Sequence, residues 1–598
     1  MKAPVTSPQP DRIEHDLFGE LSRTPQVNLA AAEVGISSEL VIRVQLEGSA
    51  ALELDYLVPT RLEGRLTVGS RVLVPLQRQS VPAVVMEVRG DSPHRGKLKE
   101  VMSLVGSKPM FTSGLLLLAK WMTNYYIVPR HQVLRTMLPQ VVRVKPETFL
   151  KESRLSLVSM PAQDVWEKML KTAPMQARVL DAVKAAGGEI TLSTLRRDLP
   201  RAAGIIKPLL KAGWLSRTEA RVERDPFQDE EFMPSQALTL TAEQQEAVDA
   251  AAKALAKPVE ARPLLLHGVT GSGKTEVYLQ TIARVLESGL TALVLVPEIS
   301  LTPQTIERFK SRFSDRKERI AVLHSHLSDG ERHDEWFKVQ EGRADIVIGA
   351  RSAIFAPLEK LGIIIVDEEH EPSYKQDETP RYHARDLAVV RAKIEGCVVL
   401  LGSATPSLES FENASRGKYE LLRLTRRTDG KTMPYIRIVD MRLERRKGTA
   451  VAPQHAGMIS AKLHAAITTR LEKREQSILF LNRRGFNTSL TCTACGETVQ
   501  CQDCSVPMTL HKHDHRLVCH VCGARRLPPS KCPSCSDSAI KFAGFGTERV
   551  EEAVRALFPQ ARIARVDTDT IQRKNQLRDM LRDFRAQKLD ILIGTQMI

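Results

Sequence analysis

Residues 268–275 read GVTGSGKT, set between the apolar run PLLLH and a helix-patterned run, EVYLQTIARVL. No other feature constrains the chain as much. A glycine-rich turn joining a buried strand to a helix is the phosphate-cradling pattern G-x4-G-K-[ST] in its required context, and a chance glycine turn has no reason to carry both flanks. The loop Gly268, Val269, Thr270, Gly271, Ser272 and Gly273 is expected to wrap its backbone amides around ATP phosphates. Lys274 should reach the β- and γ-phosphates, and Thr275 should hold Mg²⁺. A partner carboxylate belongs at the end of another buried strand, and GIIIVDEEH supplies it. Asp367 is expected on Mg²⁺, and Glu368 as the group that orients and deprotonates the attacking water. Carboxylates that merely cap a strand are the plainer reading, and the order of the two motifs argues against it. Upstream, LTAEQQEAV offers Gln244 to an adenine edge, chosen over Gln245 on position alone.

Around these motifs, short apolar runs (PLLLHG, TALVLVP, DIVIG, GIIIVDEE, CVVLLGS) alternate with helical segments. That rhythm predicts a parallel sheet covered on both faces, an α/β lobe over residues 237–430. It restarts at SILFLN, breaks at a cysteine-rich stretch and resumes through LDILIGTQ, giving a second, incomplete lobe over 431–598. A chain of 598 residues is too long for one core, and more domains are expected ahead of the lobes. Residues 1–37 read as a flexible extension, 38–108 as a small β domain, 109–222 as a winged-helix-like domain and 223–236 as a polar linker. The 86 basic against 71 acidic residues leave a net charge of +15, which suits a polyanionic partner. No apolar run reaches the ~18 residues of a membrane span, and no secretory signal opens the chain. The reading is a cytoplasmic protein, a monomer, with no membrane partner.

The order of GVTGSGKT, VPEISLTPQ, GARSAIF, DEEH, GSATPS, LFLNRRGF and ILIGTQM resembles motifs I through V of superfamily 2 helicases. With DEEHEPSYKQDETPRYHARD and the cysteine stretch, the chain from about residue 38 onward resembles the bacterial replication-restart helicases. That resemblance implies two RecA-like lobes and an ATP-dependent 3′→5′ DNA helicase. It also implies recognition of stalled or branched forks and single-stranded DNA, with primosome proteins and single-stranded DNA-binding protein as partners. By the same resemblance Ser403, Ala404 and Thr405 couple nucleotide state to DNA grip, and Arg351 lines the strand path. Tyr374, Lys375, Arg381 and Tyr382 belong to a loop that senses single strands, rings stacking on bases and cations meeting phosphates. The family's pocket for a nascent 3′ end maps to Asp55, Tyr56 and Lys99. Leu54 stands where that pocket usually has Phe, and Gln77 where it has a glycine. The family's γ-phosphate arginine lies beyond motif V, whereas this sequence stops at Ile598 inside it, so a piece of a longer product with impaired ATPase activity is expected. An ATP-independent DNA-binding assembly platform is the competing class. A nuclease is disfavoured because no carboxylate–lysine cluster is evident.

Eight of nine cysteines form four CxxC knuckles: Cys492/Cys495, Cys501/Cys504, Cys519/Cys522 and Cys532/Cys535. Two knuckles complete one tetrahedral Cys₄ site, so two structural Zn²⁺ are expected in an insert over 491–536. The fourteen residues between the second and third knuckles read as a ribbon hairpin around one ion, which leaves the outer pairs to the other, as in the resembling family. Interleaved pairing is the alternative. His511, His513, His515 and His520 are expected at the surface.

Overall fold

The computed structural model describes residues 40–48, 52–90, 97–106, 108–144, 150–199, 204–222, 224, 226–227, 232–298, 303–325, 327–430, 434–441, 443, 458–481, 489–492, 494–511, 516–519, 522–538, 540–543, 547–566 and 576–595. The extension 1–37, most of LNRRGF, the centre of VPEISLTPQ, and His513, His515 and His520 lie outside them. The chain divides into two units, Met1–Lys431 and Thr432–Ile598.

In the first unit a seven-stranded sheet carries the ATP motifs. Its order is Ile320–Leu323, Ile346–Gly349, Thr291–Leu295, Leu361–Val366, Val398–Ser403, Leu264–Gly268 and Glu420–Leu424, and every pairing is parallel. The continuous apolar runs follow from burial on both faces. Leu265, Leu293, Ile364 and Leu401 point into one core, while their neighbours Leu264, Val294, Ile363 and Leu400 point into the other. Strands this apolar cannot expose either face, so helices must cover both. The loops at their carboxyl ends are left as the crevice where open α/β sheets bind ligands.

Ahead of it, a five-stranded sheet runs in the order Glu53–Leu57, Val41–Leu46, Gln79–Arg89, Arg71–Leu76 and Ser103–Val105, all antiparallel. Alternate residues Ile42, Val44, Leu46, Val72, Val74, Ala83 and Val85 fill its core. Gln77 opens the tight turn between Leu76 and Gln79 with φ of +53°, the left-handed backbone such hairpins demand and glycine supplies at least cost.

Helix Ser113–Tyr126 differs from its expected grouping. Leu115, Leu118, Ala119 and Met122 share a core with Leu387, Ala388 and Val390 of helix Ala384–Glu395, so it packs on the ATP-binding lobe and not with residues 150–222. Gly114 permits the approach, since a Cβ there would lie 2.6 Å from the Glu395 side chain. Residues 150–222 keep their own core around Leu155, Leu180, Val183 and Leu209. Four helices pack there with a three-stranded antiparallel sheet, in which Leu150–Leu157 pairs along Leu215–Val222. The described part of the linker is fastened to the lobe: Arg224 grips Asp334, Ser235 donates to the Ser311 carbonyl, and just beyond it Leu238 donates to Glu276.

The second unit holds a three-stranded parallel sheet, Ser477–Phe480, Ile591–Gly594 and Ile563–Val566, over a core of Ile467, Val550, Val554, Ile591 and Ile593. Its insert is a five-stranded antiparallel sheet from Ser489 to Ala543, slightly wider than the cysteine spacing marks. Among the described residues no helix is long and apolar enough to cross a membrane.

Candidate ATP site, DNA-facing loops and zinc insert

Strand Leu264–Gly268 ends at the phosphate loop, and helix Lys274–Glu287 begins directly after it. Gly271 and Gly273 sit at φ of +80° and +81°, where a side chain is strained. A Cβ on Gly273 would also lie 2.3 Å from the Gln244 amide nitrogen. Lys274 Nζ donates to the Gly268 carbonyl at 2.9 Å and lies 4.0 Å from Glu368 Oε1. Thr275 opens the helix beside it, followed by Glu276, which accepts a two-pronged hydrogen bond from Arg312.

Gln244 is set to a structural task. It is buried, its Oε1 accepts from the Thr241 amide in a capping box, and its Nε2 donates to the Ser272 carbonyl at 2.8 Å. Its Nε2 thus braces the phosphate loop while its Oε1 caps the start of its own helix.

Asp367 follows the buried strand Leu361–Val366. Two tyrosines hold it. Tyr278 donates to Oδ1 at 2.9 Å, and Tyr374 donates to the backbone carbonyl at 2.7 Å. Burial, with the Glu368 charge next to it, pushes the Asp367 carboxyl up to about 6, and Lys274 acts in the opposite direction. Such a carboxylate is primed to gain from a divalent cation. Glu368 turns out of the strand with φ of +44°, a left-handed conformation costly for a residue with a Cβ. Glu369, fully buried, accepts from the Ser407 amide, the Ser407 and Ser410 hydroxyls, and Arg385. His370 Nδ1 lies 2.7 Å from Ser403 Oγ and 3.5 Å from Glu368 Oε2. DEEH is thus stitched to GSATPS side chain by side chain.

Reading the sequence missed Tyr278, Glu369, His370 and Ser407. Tyr278 had a signal, lying four residues after Lys274 and so on the same helical face. The hydroxyl contact itself needs Gly402, where a Cβ would fall 1.7 Å from Tyr278 Oη.

The loop after DEEH departs from expectation. Tyr374 and Tyr382 are each only 1% exposed, and Tyr382 packs edge-on against Phe355 with ring centroids 5.1 Å apart. Neither presents a face to a base. Rings are the largest apolar surfaces in this segment, and the lobe core takes them. Lys375 and Arg381 stay exposed, and Arg351 braces the loop by donating to the Ser373 and Lys375 carbonyls.

In the N-terminal sheet, Asp55 is paired with Arg43 at 2.9 Å. Tyr56, its neighbour on the opposite face, is buried and donates to the Pro75 carbonyl, so its ring belongs to the sheet core and not to an open pocket. Lys99 is exposed, and its carbonyl joins the edge of the same strand at Leu57.

The eight insert cysteines gather as Cys492, Cys495, Cys532 and Cys535, and as Cys501, Cys504, Cys519 and Cys522, the sulfurs of each set lying within 4.8 Å of one another. The outer knuckles meet each other, and so do the inner ones. Separations of 3.6 Å for Cys492–Cys535, Cys495–Cys532 and Cys501–Cys522 are far too long for disulfides. They approach the ~3.8 Å edge of a tetrahedron built on ~2.3 Å zinc–sulfur bonds. Four thiols per set, with no open position, fit structural Zn²⁺.

The DEAD/DEAH box helicase family matches residues 241–414, the PriA 3′DNA-binding domain residues 43–139, and the PriA DNA helicase Cys-rich region residues 501–526. The replication restart protein PriA of Bacillus subtilis is 39% identical over 91% of this chain and 74% of its own length. That of Chlamydia pneumoniae is 37% identical over 91% and 72%, and that of Haemophilus influenzae 37% over 93% and 74%. With a phosphate loop locked to DEEH, two Cys₄ clusters and relatives of that identity along nine-tenths of its length, the chain belongs to the PriA family of replication-restart helicases.

Proposed function

We propose that this helicase uses ATP hydrolysis to move 3′→5′ along DNA, recognises stalled or branched replication forks, and initiates primosome assembly. One observation carries the motor reading: Glu368 is linked through His370 to Ser403, at the start of the GSATPS segment. Glu368 orients the attacking water and accepts its proton, and His370 holds that carboxylate in register with Ser403. A shift of the GSATPS segment on binding DNA therefore moves the base that hydrolysis needs. Lys274 places its charge on the β- and γ-phosphates while the loop from Gly268 to Gly273 wraps them. Thr275 and Asp367 would hold Mg²⁺, which would neutralise phosphate charge there. The two Cys₄ sets would hold two Zn²⁺, which would give the insert its shape and take no part in hydrolysis. Lys375 and Arg381, with Arg351 behind them, meet the DNA backbone, and Asp55 and Lys99 flank the place of a 3′ end. The protein works as a monomer in the bacterial cytoplasm, with single-stranded DNA-binding protein and primosome components as its partners.

The test is steady-state ATP hydrolysis with and without forked DNA, alongside displacement from a single strand carrying a duplex at each end. Fork-stimulated hydrolysis, with release only of the duplex reached by 3′→5′ movement, is expected. Release of the opposite duplex would overturn the polarity. Affinity for the fork should also fall steeply with salt, because phosphate contacts release counterions.

A further inference from the structure

The last turn of helix Ser113–Tyr126 carries an aromatic cluster that none of these roles uses. Trp121 and Tyr125, one turn apart, stack with ring centroids 4.5 Å apart and planes inclined by 13°. Tyr126 sets its ring edge-on to both, at 6.1 Å from Trp121 and 5.0 Å from Tyr125. Trp121 is half-buried against the lobe core, whereas Tyr125 remains 55% exposed. A lone exposed ring needs no explanation. A ring held parallel on a second, with a third fixing its edge, is a rigid π-face with little entropy left to lose on binding.

Its surroundings indicate the occupant. Just past the helix, Arg130 pairs with Glu53, beside Leu54 and Asp55 of the N-terminal sheet. On the other side, the Tyr126 hydroxyl lies beside the backbone of His383, and His383 bridges to Lys375. The stack thus stands between the strand bearing Asp55 and the exposed cationic loop of Lys375 and Arg381, within residues matched by the 3′DNA-binding domain. Aromatic faces interleaved with cations have the chemistry that holds unpaired nucleotides, bases on rings and phosphates on the charges.

We propose that Trp121 and Tyr125 form a stacking platform for an unpaired base of single-stranded DNA, supplying the stacking surface that the buried Tyr374 and Tyr382 do not. This rests on the chain engaging single-stranded DNA, as proposed above. The experiment measures the affinity of the full chain for fluorescently labelled oligo(dT) and for blunt duplex by anisotropy, without nucleotide. Tyr125→Leu keeps the apolar bulk and removes the ring, and should weaken oligo(dT) binding by about 5- to 100-fold. Tyr125→Phe should bind as the unmodified chain does, duplex affinity should not move in either variant, and thermal unfolding should verify the fold of both. Oligo(dT) affinity unchanged in Tyr125→Leu would overturn the platform and leave the pair as a surface for protein. An equal loss on duplex would overturn it as well. If the unmodified chain fails to bind oligo(dT), the DNA reading itself falls, a result distinct from either of these.

Discussion

The phosphate site and the zinc insert organise polar side chains by opposite means. In the ATP-binding lobe, Asp367 and Glu369 are held by strands whose neighbours fill two apolar cores, so the site is a by-product of a sheet that would fold without ligand. Among the described residues the insert has a core of six buried residues, two of them the ligand cysteines Cys501 and Cys519. That core offers little apolar surface to offset chain entropy, and metal held by the thiols would supply the difference. Core-built sites tolerate loss of their ligand. Metal-built sites do not.

The largest effect expected from this contrast is on the insert. Metal analysis of protein purified under reducing conditions should find two zinc ions per chain, each contributing on the order of 10–16 kcal/mol to local order. Chelation should unfold the insert while the ATP-binding lobe keeps its melting transition. Cys519→Ser should release one ion and spare the outer site, because the outer four sulfurs form their own set. A single zinc in the unmodified protein would contradict the two-cluster arrangement.

Next in size is Lys274→Ala. It removes the only side chain placed to put a positive charge on the transferred phosphate from within the loop, and should lower ATP hydrolysis by at least ~100-fold. Here the contrast predicts an intact fold, read by an unchanged melting curve and retained DNA binding. Hydrolysis at the unmodified rate would remove the site assignment altogether.

A smaller effect sets function against stability within the lobe. Burial and the neighbouring Glu368 charge raise the Asp367 carboxyl from its ordinary 3.8 to about 6 in the folded chain. Between those values the folded state binds more protons than the unfolded state, so stability is lost as pH rises through about 4 to 6. Asp367→Asn removes the buried charge. Without metal or nucleotide it should raise the thermal midpoint at pH 8, by an amount equivalent to at most roughly 3 kcal/mol, and the advantage should shrink toward pH 4. A midpoint difference that does not vary with pH would show that charge burial is not the cause.

The same contrast accounts for what the sequence disclosed. The strands of the lobe were legible because burial on both faces leaves unbroken apolar runs, and Lys274 and Asp367 because their chemistry dictates their place at strand ends. CxxC spacing disclosed the ligands because thiolates on one metal must be near neighbours. Glu369, His370 and Ser407 were not legible, since their contacts depend on Leu361–Val366 lying beside Val398–Ser403, and strand order is not written in either run. The burial of Tyr374 and Tyr382 was not legible for a related reason. An aromatic in a polar loop reads as exposed until the neighbouring core is known to have room for it. Helix Ser113–Tyr126 was grouped with the wrong neighbour because its apolar face does not say which partner covers it.

Tyr278 gives the smallest and sharpest test, because it is the one place where the core-built site behaves like a metal-built one. Its hydroxyl occupies Asp367 Oδ1, and Gly402 closes behind it with no space for a Cβ. That bond fixes the rotation of the carboxylate and leaves its second oxygen for another ligand. Hydrogen bonds that orient a metal-ligating carboxylate are typically worth about 10- to 100-fold in metal affinity. Tyr278→Phe keeps the ring in its core position and removes only this bond. Affinity for Mn²⁺, followed by electron paramagnetic resonance with a non-hydrolysable ATP analogue present, should fall by about tenfold. Binding of the analogue without metal should stay as it is, and the melting curve should hardly move. Gly402→Ala should have the same effect by another route, since its methyl must push the Tyr278 hydroxyl off Asp367. Tighter or unchanged Mn²⁺ binding in Tyr278→Phe, with Asp367→Asn still abolishing it, would mean that the apolar core alone orients the carboxylate and that the tyrosine only fills space.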